Sequence, residues 1–104
     1  MKRLLLCIAF VSLFALPAQA SNEEVCNILA DIAHATMEAR QSGASQFQMI
    51  GATNSFEPNY KLLVDQIIVS AFESPKYEDY LTQQVATDVF RGEIRFKCML
   101  GLSE

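Results

Sequence analysis

The chain has 104 residues, 51% of them hydrophobic, with eight Lys and Arg against twelve Asp and Glu for a formal charge of −4. That length suits one domain rather than two. The acidic balance, with no basic stripe anywhere, excludes nucleic-acid backbones and anionic membrane surfaces as partners.

Lys2 and Arg3 precede an apolar run from Leu4 to Leu16 broken only by Ser12, which Pro17 and Ala18-Gln19-Ala20 close. A cationic start, an apolar core and a small-residue close are the three regions of a signal peptide, so residues 1–20 are expected to be removed after Ala20. The core runs to about thirteen residues, short of the roughly twenty that span a bilayer. Cys7 lies inside this core rather than behind it, which fits a small hydrophobe in a discarded segment better than a lipidation site. Cleavage leaves residues 21–104 as a single periplasmic or secreted helical domain with no membrane anchor. Six bases against twelve acids then give it a formal charge of −6.

Cys26 and Cys98 are the cysteines that survive cleavage. In an oxidising compartment an even pair reads as a disulfide, and two cysteines allow a single pairing. A redox-active pair would favour a close Cys-x-x-Cys spacing instead.

Ser21 and Glu24 fit a capping box at the start of a first helix. Val25, Cys26, Ile28, Leu29, Ile32, Ala33, Thr36, Met37 and Ala39 fall on one broad face of it, opposite Glu24, Asn27, Asp31, His34, Glu38 and Gln41. The helix should close at Ser42-Gly43. In the following Gly43 to Pro58 segment, Ser45 caps a short helix through Phe47, Met49 and Ile50 that Gly51 stops. Asn59 to Ser74 is apolar almost all round, with Tyr60, Leu63, Val64, Ile67, Ile68 and Ala71 as its main face. It is expected to be the central, most buried helix, a lone strand lacking any partner. A last helix is expected from Tyr77 or Glu78 to Cys98, with Leu81, Val85, Val89, Gly92 and Phe96 as its apolar stripe. Antiparallel packing of the first and last helices would bring the cysteines together. The expected fold is therefore all-α, a small bundle of three long helices and one short helix stapled by one disulfide.

Few residues offer chemistry. Asp31, His34 and Glu38 share a face of the first helix and are weak candidates for a metal, but a di-metal carboxylate bundle would supply two Glu-x-x-His motifs and further glutamates from other helices, and this chain has one histidine. No Gly-x-Ser-x-Gly elbow or phosphate loop occurs, and no cofactor is expected. Arg40 projects from the apolar face of the first helix, where a charge needs a partner. The sequence points to a structural ion pair with Glu73 or Asp65 that also caps terminal carbonyls, or else to an anion contact. Phe90 and Ile94 form a second apolar pair on the last helix. They either pack beneath the Gly43 to Pro58 segment or, with Tyr77 and Tyr80, form an anchor for a partner.

Cys26, the run Met37-Glu38-Ala39-Arg40-Gln41-Ser42-Gly43, Met49, the run Ala71-Phe72-Glu73-Ser74-Pro75 and Cys98 together resemble a pattern in small uncharacterised exported proteins of gammaproteobacteria. The resemblance implies a bacterial envelope setting and no activity. Size, helicity and the wide disulfide are also similar in class to acid-stress periplasmic chaperones, without a shared motif. The expected function is that of an exported helical binding protein with an unidentified protein partner, acting as adaptor, inhibitor or chaperone-like factor. The alternative is a small hydrolase or metal-dependent enzyme using His34 with nearby carboxylates.

Overall fold

Each helix boundary follows from a few hydrogen bonds at its ends. In the computed structural model, which describes residues 22–103, the helices are α1 (Asn22–Gln41), α2 (Gln46–Ala52), α3 (Pro58–Glu73) and α4 (Tyr80–Ser103). The expected signal peptide and Ser21 of the capping box lie outside the described residues. No helix among the described residues is long and apolar enough to cross a membrane.

At the end of α1 the Ala44 amide donates to the Ala39 carbonyl (3.0 Å) and the Gly43 amide to the Arg40 carbonyl (3.1 Å). This is a Schellman close. It requires Gly43 at φ +99°, which glycine adopts without a Cβ penalty. The Ser45 hydroxyl accepts from the Gln48 amide (3.1 Å) and starts α2. That helix passes through Gly51, contrary to expectation, because one helical glycine costs only about 1 kcal/mol. Thr53 ends it, its amide turning back to the Ile50 carbonyl (3.1 Å). Pro58 opens α3, and the Glu57 carboxylate accepts from the Asn59 (3.1 Å) and Tyr60 (3.0 Å) amides.

The last helix begins later than the sequence suggests, at Tyr80, because Asp79 caps it. Its carboxylate accepts from both the Thr82 amide and the Thr82 hydroxyl (2.9 Å each). Those bonds hold the Asp79 carboxyl below the usual carboxylate range.

The Cys26–Cys98 disulfide, with Cα atoms 5.5 Å apart, joins the start of α1 to the end of α4. Arg95 donates to Asn27 (2.7 Å) and Arg91 to Asp31 (2.9 Å). Rising number on one helix thus meets falling number on the other, and the two run antiparallel. Arg40 and Gln41 instead reach the carbonyls of Ser74 and Pro75 just past the end of α3. The ends of α1 and α3 lie together, so these helices run parallel and the segment containing α2 carries the chain back between them.

The core sits where the three long helices converge. Leu29, Ala33 and Met37 of α1, Ile67 and Ala71 of α3 and Phe90 of α4 form one buried cluster. Ala30 and Ala33 are fully buried, and such small side chains let neighbouring helices approach closely. Their position makes α1 the central helix, a role the sequence assigned to the apolar α3. Among the described residues α1 is the element that packs most on α3, and the short α2 covers it only sparsely. Its remaining apolar residues, Leu62, Leu63 and Val69, therefore face outward.

α4 is rotated about its axis relative to the sequence expectation. Thr87, Phe90, Ile94 and Cys98 face the interior, whereas Leu81, Val85, Val89 and Phe96 are each more than half exposed. The disulfide explains the rotation. Cys98 must face Cys26, and the residues one, two and three turns before it are Ile94, Phe90 and Thr87. The Leu81 stripe lies roughly 150° round the helix from Cys98, so both cannot face α1.

Candidate functional site

Parallel packing of α1 and α3 leaves a furrow between them that α2 roofs only in part. Ile28 and Ile32 of α1 face Tyr60 and Val64 of α3, while Met49 and Phe56 from the returning segment close the third side. The result is an open cleft of about 570 Å³, within the roughly 300–1,000 Å³ of sites that accept a ligand or a protein side chain. Thr36, also in its lining, has its hydroxyl committed to the Ile32 carbonyl (2.7 Å). That donor is therefore not offered to the cleft. The Phe56 and Tyr60 rings pack 5.2 Å apart at a tilted 36°, and burial raises the Tyr60 phenol above its ordinary pKa.

A polar latch fixes one end of the roof. The Thr53 hydroxyl donates its single proton to Asp65 Oδ1 (2.6 Å), with the Ile50 carbonyl as the other acceptor in reach (2.8 Å). Lys61 Nζ donates to Thr53 (3.0 Å) and also pairs with Asp65. Burial pushes the Asp65 carboxyl upward, but hydrogen bonds from Lys61 and Thr53 and the Lys61 charge outweigh it. The net effect holds the group below the usual carboxylate range. Beyond this latch α2 has little anchorage. It contributes no buried residue, and Phe47 is 88% exposed. A segment so thinly packed belongs to the low-stability end of a fold, and moving it would widen the cleft.

The cleft walls are apolar and its polar neighbours, Asp31, Gln48 and Thr53, include no cation. Such a site recognises apolar shape rather than an anion.

The residues singled out in the sequence do not assemble into one site. Phe90 is 6% exposed in the core cluster and Ile94 packs against that cluster. They pack against α1 and α3 in the core rather than standing free as an exposed anchor, because α4's rotation turns them inward. Tyr77 is held in the linker before α4, where its amide donates to Gln41 Oε1 (2.8 Å) and its carbonyl accepts from Gln83 Nε2 (2.6 Å). Of the four, only Tyr80 is largely exposed. It borders a second, polar cavity of about 350 Å³ with Glu38, Gln41, Ser42 and Gln83.

Arg40 pairs with neither Glu73 nor Asp65. Its Nε and Nη2 donate to the Ser74 carbonyl (3.3 and 3.2 Å) and its guanidinium lies 5.0 Å from the Phe72 ring centroid. It caps α3 through a free carbonyl, while Lys61 takes Asp65. Gln41, which the sequence placed on the solvent face, is buried and bridges Pro75 and Tyr77 beside it.

Asp31, His34 and Glu38 do not converge. Asp31 turns to Arg91, whereas His34 Nε2 lies 3.3 Å from Glu38 Oε2. Among the described residues no group of three or more His, Cys, Asp and Glu is arranged to hold a metal. The His34 Nδ1 atom is buried without a hydrogen-bond partner.

The chain matches no protein-family model, no curated protein and no solved structure.

Proposed function

We propose that this chain is an exported helical binding protein of the bacterial envelope that receives an apolar segment of a partner protein in the α1–α2–α3 cleft. The observation that carries this is the cleft itself, an open furrow walled by Ile28, Ile32, Met49, Phe56, Tyr60 and Val64 beneath a loosely anchored roof. Apolar grooves of this kind take one face of an amphipathic helix through residues three and four apart. A methionine in the wall adapts to side chains of differing shape. Export rests on residues 1–20 as a signal peptide, and the Cys26–Cys98 disulfide is consistent with an oxidising compartment. An adaptor, an inhibitor and a chaperone-like factor would all use such a cleft.

The uncharged dye Nile red tests the cleft without knowledge of the partner. Residues 21–104 should bind it saturably with a blue-shifted emission. Met49→Asp should abolish that signal without altering the melting temperature, while Phe96→Glu on α4 preserves it. Dye binding that survives Met49→Asp at full strength would contradict the assignment.

The alternative, a small hydrolase or metal-dependent enzyme, has one observation behind it. Glu38 pairs with His34 and also lines the polar cavity. A hydrolase of this form would need a nucleophile held against His34. An activity found by substrate screening and lost in His34→Ala would support it, and an activity unchanged in that variant would remove it.

A further inference from the structure

The outer face of α4 carries an apolar line that the proposed cleft does not use. Leu81 (70%), Val85 (57%), Val89 (53%) and Phe96 (63%) are exposed, with Gly92 between the last two, and nothing among the described residues covers them. They lie within about 80° of one another around the helix. From these observations we propose that α4 pairs with α4 of a second copy of this chain, antiparallel, about a two-fold axis passing between Val89 and Gly92.

The spacing of the line favours this occupant. Numbers that sum to 181 meet across such an axis, so Val85 faces the partner's position 96 and Val89 faces the partner's position 92. The same register places Leu81 opposite position 100, where Leu100 is 51% exposed. A self-complementary patch of this kind is what a two-fold interface requires. A valine opposite a glycine also lets the two backbones approach closely. No atom lies within 4 Å of where a Gly92 Cβ would stand. A glycine at a mid-helix surface position weakens the helix, and close approach of a second helix gives it a purpose.

Charge selects the direction. Asp88 and Arg95 flank the line on the same side. In the antiparallel arrangement Asp88 lies within about one helical residue rise or two of the partner's position 95, an opposite-charge pair formed twice. The partner's Glu93 is level with Asp88 in this register but lies on the opposite flank, whereas a parallel pair would bring Glu93 to the flank of Asp88 about five residues on and repel it. Within its own chain Arg95 donates to Asn27 and its Nη2 lies 3.7 Å from Glu23 Oε1, yet its side chain stays 44% exposed, so the partner's Asp88 adds a second carboxylate to it. The exposed line extends over about 28 Å of helix, and two copies would hide on the order of 1,000 Å². That is the lower bound for a specific interface, so a weak dimer that forms with rising concentration is expected.

The test uses residues 21–104 with the disulfide intact. Sedimentation at concentrations from about 1 to 500 µM should show a monomer–dimer equilibrium, and the double substitution Val85→Glu, Phe96→Glu should weaken it at least about a hundredfold. Unchanged helicity and melting of the diluted variant would confirm that it folds. Under mild oxidation, a Val85→Cys chain mixed with a Phe96→Cys chain should cross-link to each other, with little cross-linking in either alone. A monomer throughout that range, a dimer indifferent to the double substitution, or preferential Val85→Cys self-cross-linking would overturn the proposal. Failure here leaves the cleft reading intact, because Nile red binding depends on Met49 and not on α4's outer face.

Discussion

Replacing Cys26 and Cys98 together by alanine should remove a large share of the net stability. The bond closes a loop across a separation of 72 residues, and the chain-entropy model assigns that loop about 4 kcal/mol at 25 °C. A small domain has only roughly 5–15 kcal/mol in total, so the melting temperature should fall by roughly 15–30 °C. What else holds that end of the molecule is weak. The Arg95–Asn27 and Arg91–Asp31 contacts are exposed, and such surface pairs contribute about 0–1 kcal/mol each. The opposite end keeps its Arg40 and Gln41 ties to the 74–77 linker. Loss should therefore be uneven, and hydrogen exchange should accelerate first near residues 22–31 and 91–100. Urea unfolding followed by circular dichroism measures the whole effect, and exchange by mass spectrometry its distribution. A double variant within about 1 kcal/mol of wild type would refute the reasoning.

Phe90→Asp buries a charge in the core cluster and should prevent folding, whereas Leu81→Asp on the outer face should change monomer stability by less than about 0.5 kcal/mol; thermal melts of dilute protein check the pair, and the reverse ranking would mean α4 is rotated the other way. Gln41→Ala removes a buried side chain and leaves the half-buried Tyr77 amide without its partner, and should cost about 1–3 kcal/mol in urea, more than Arg40→Met, which keeps an apolar stem at a half-buried position. Acid should weaken the fold through Asp65 and Asp79, whose carboxyls lie lower in the folded state than in the unfolded chain. Their contribution is complete above the unfolded value of about 4 and fades as pH falls through the folded values. Melts between pH 7 and 2 should show that loss, and Asp65→Asn with Asp79→Asn should flatten it.

Where a helix starts and stops depends on near neighbours, and this was largely legible. Gly43, Ser45 and Pro58 mark their boundaries in the sequence, and two cysteines sufficed to pair the first and last helices. The rotation of α4 was obscured because its outer line, Leu81, Val85, Val89 and Phe96, is more hydrophobic than its inner one. The inner face includes Gln83 and Thr87, and burial of Thr87 is tolerated because its hydroxyl donates to the Gln83 carbonyl (2.9 Å). Hydrophobicity alone selects the wrong side, although the position of Cys98 marks the right one. Arg40 stood out correctly as a charge on an apolar face, but its acceptor is a backbone carbonyl 34 residues away, which no periodicity reveals. The cleft was illegible for a similar reason. Met49, Phe56 and Tyr60 become one wall only through the parallel placement of α1 and α3, which the returning segment determines.

The proposed role places a partner's apolar segment in the α1–α2–α3 cleft within the envelope. Photo-cross-linking in intact cells tests it most directly, with a photoreactive residue substituted at Gln48 or Ala52 beside the cleft, or at Glu73 as a distant control. A discrete adduct is expected from positions 48 and 52, abolished by Met49→Asp, and none from position 73. Equal adducts from all three positions, or none from the cleft, would contradict it.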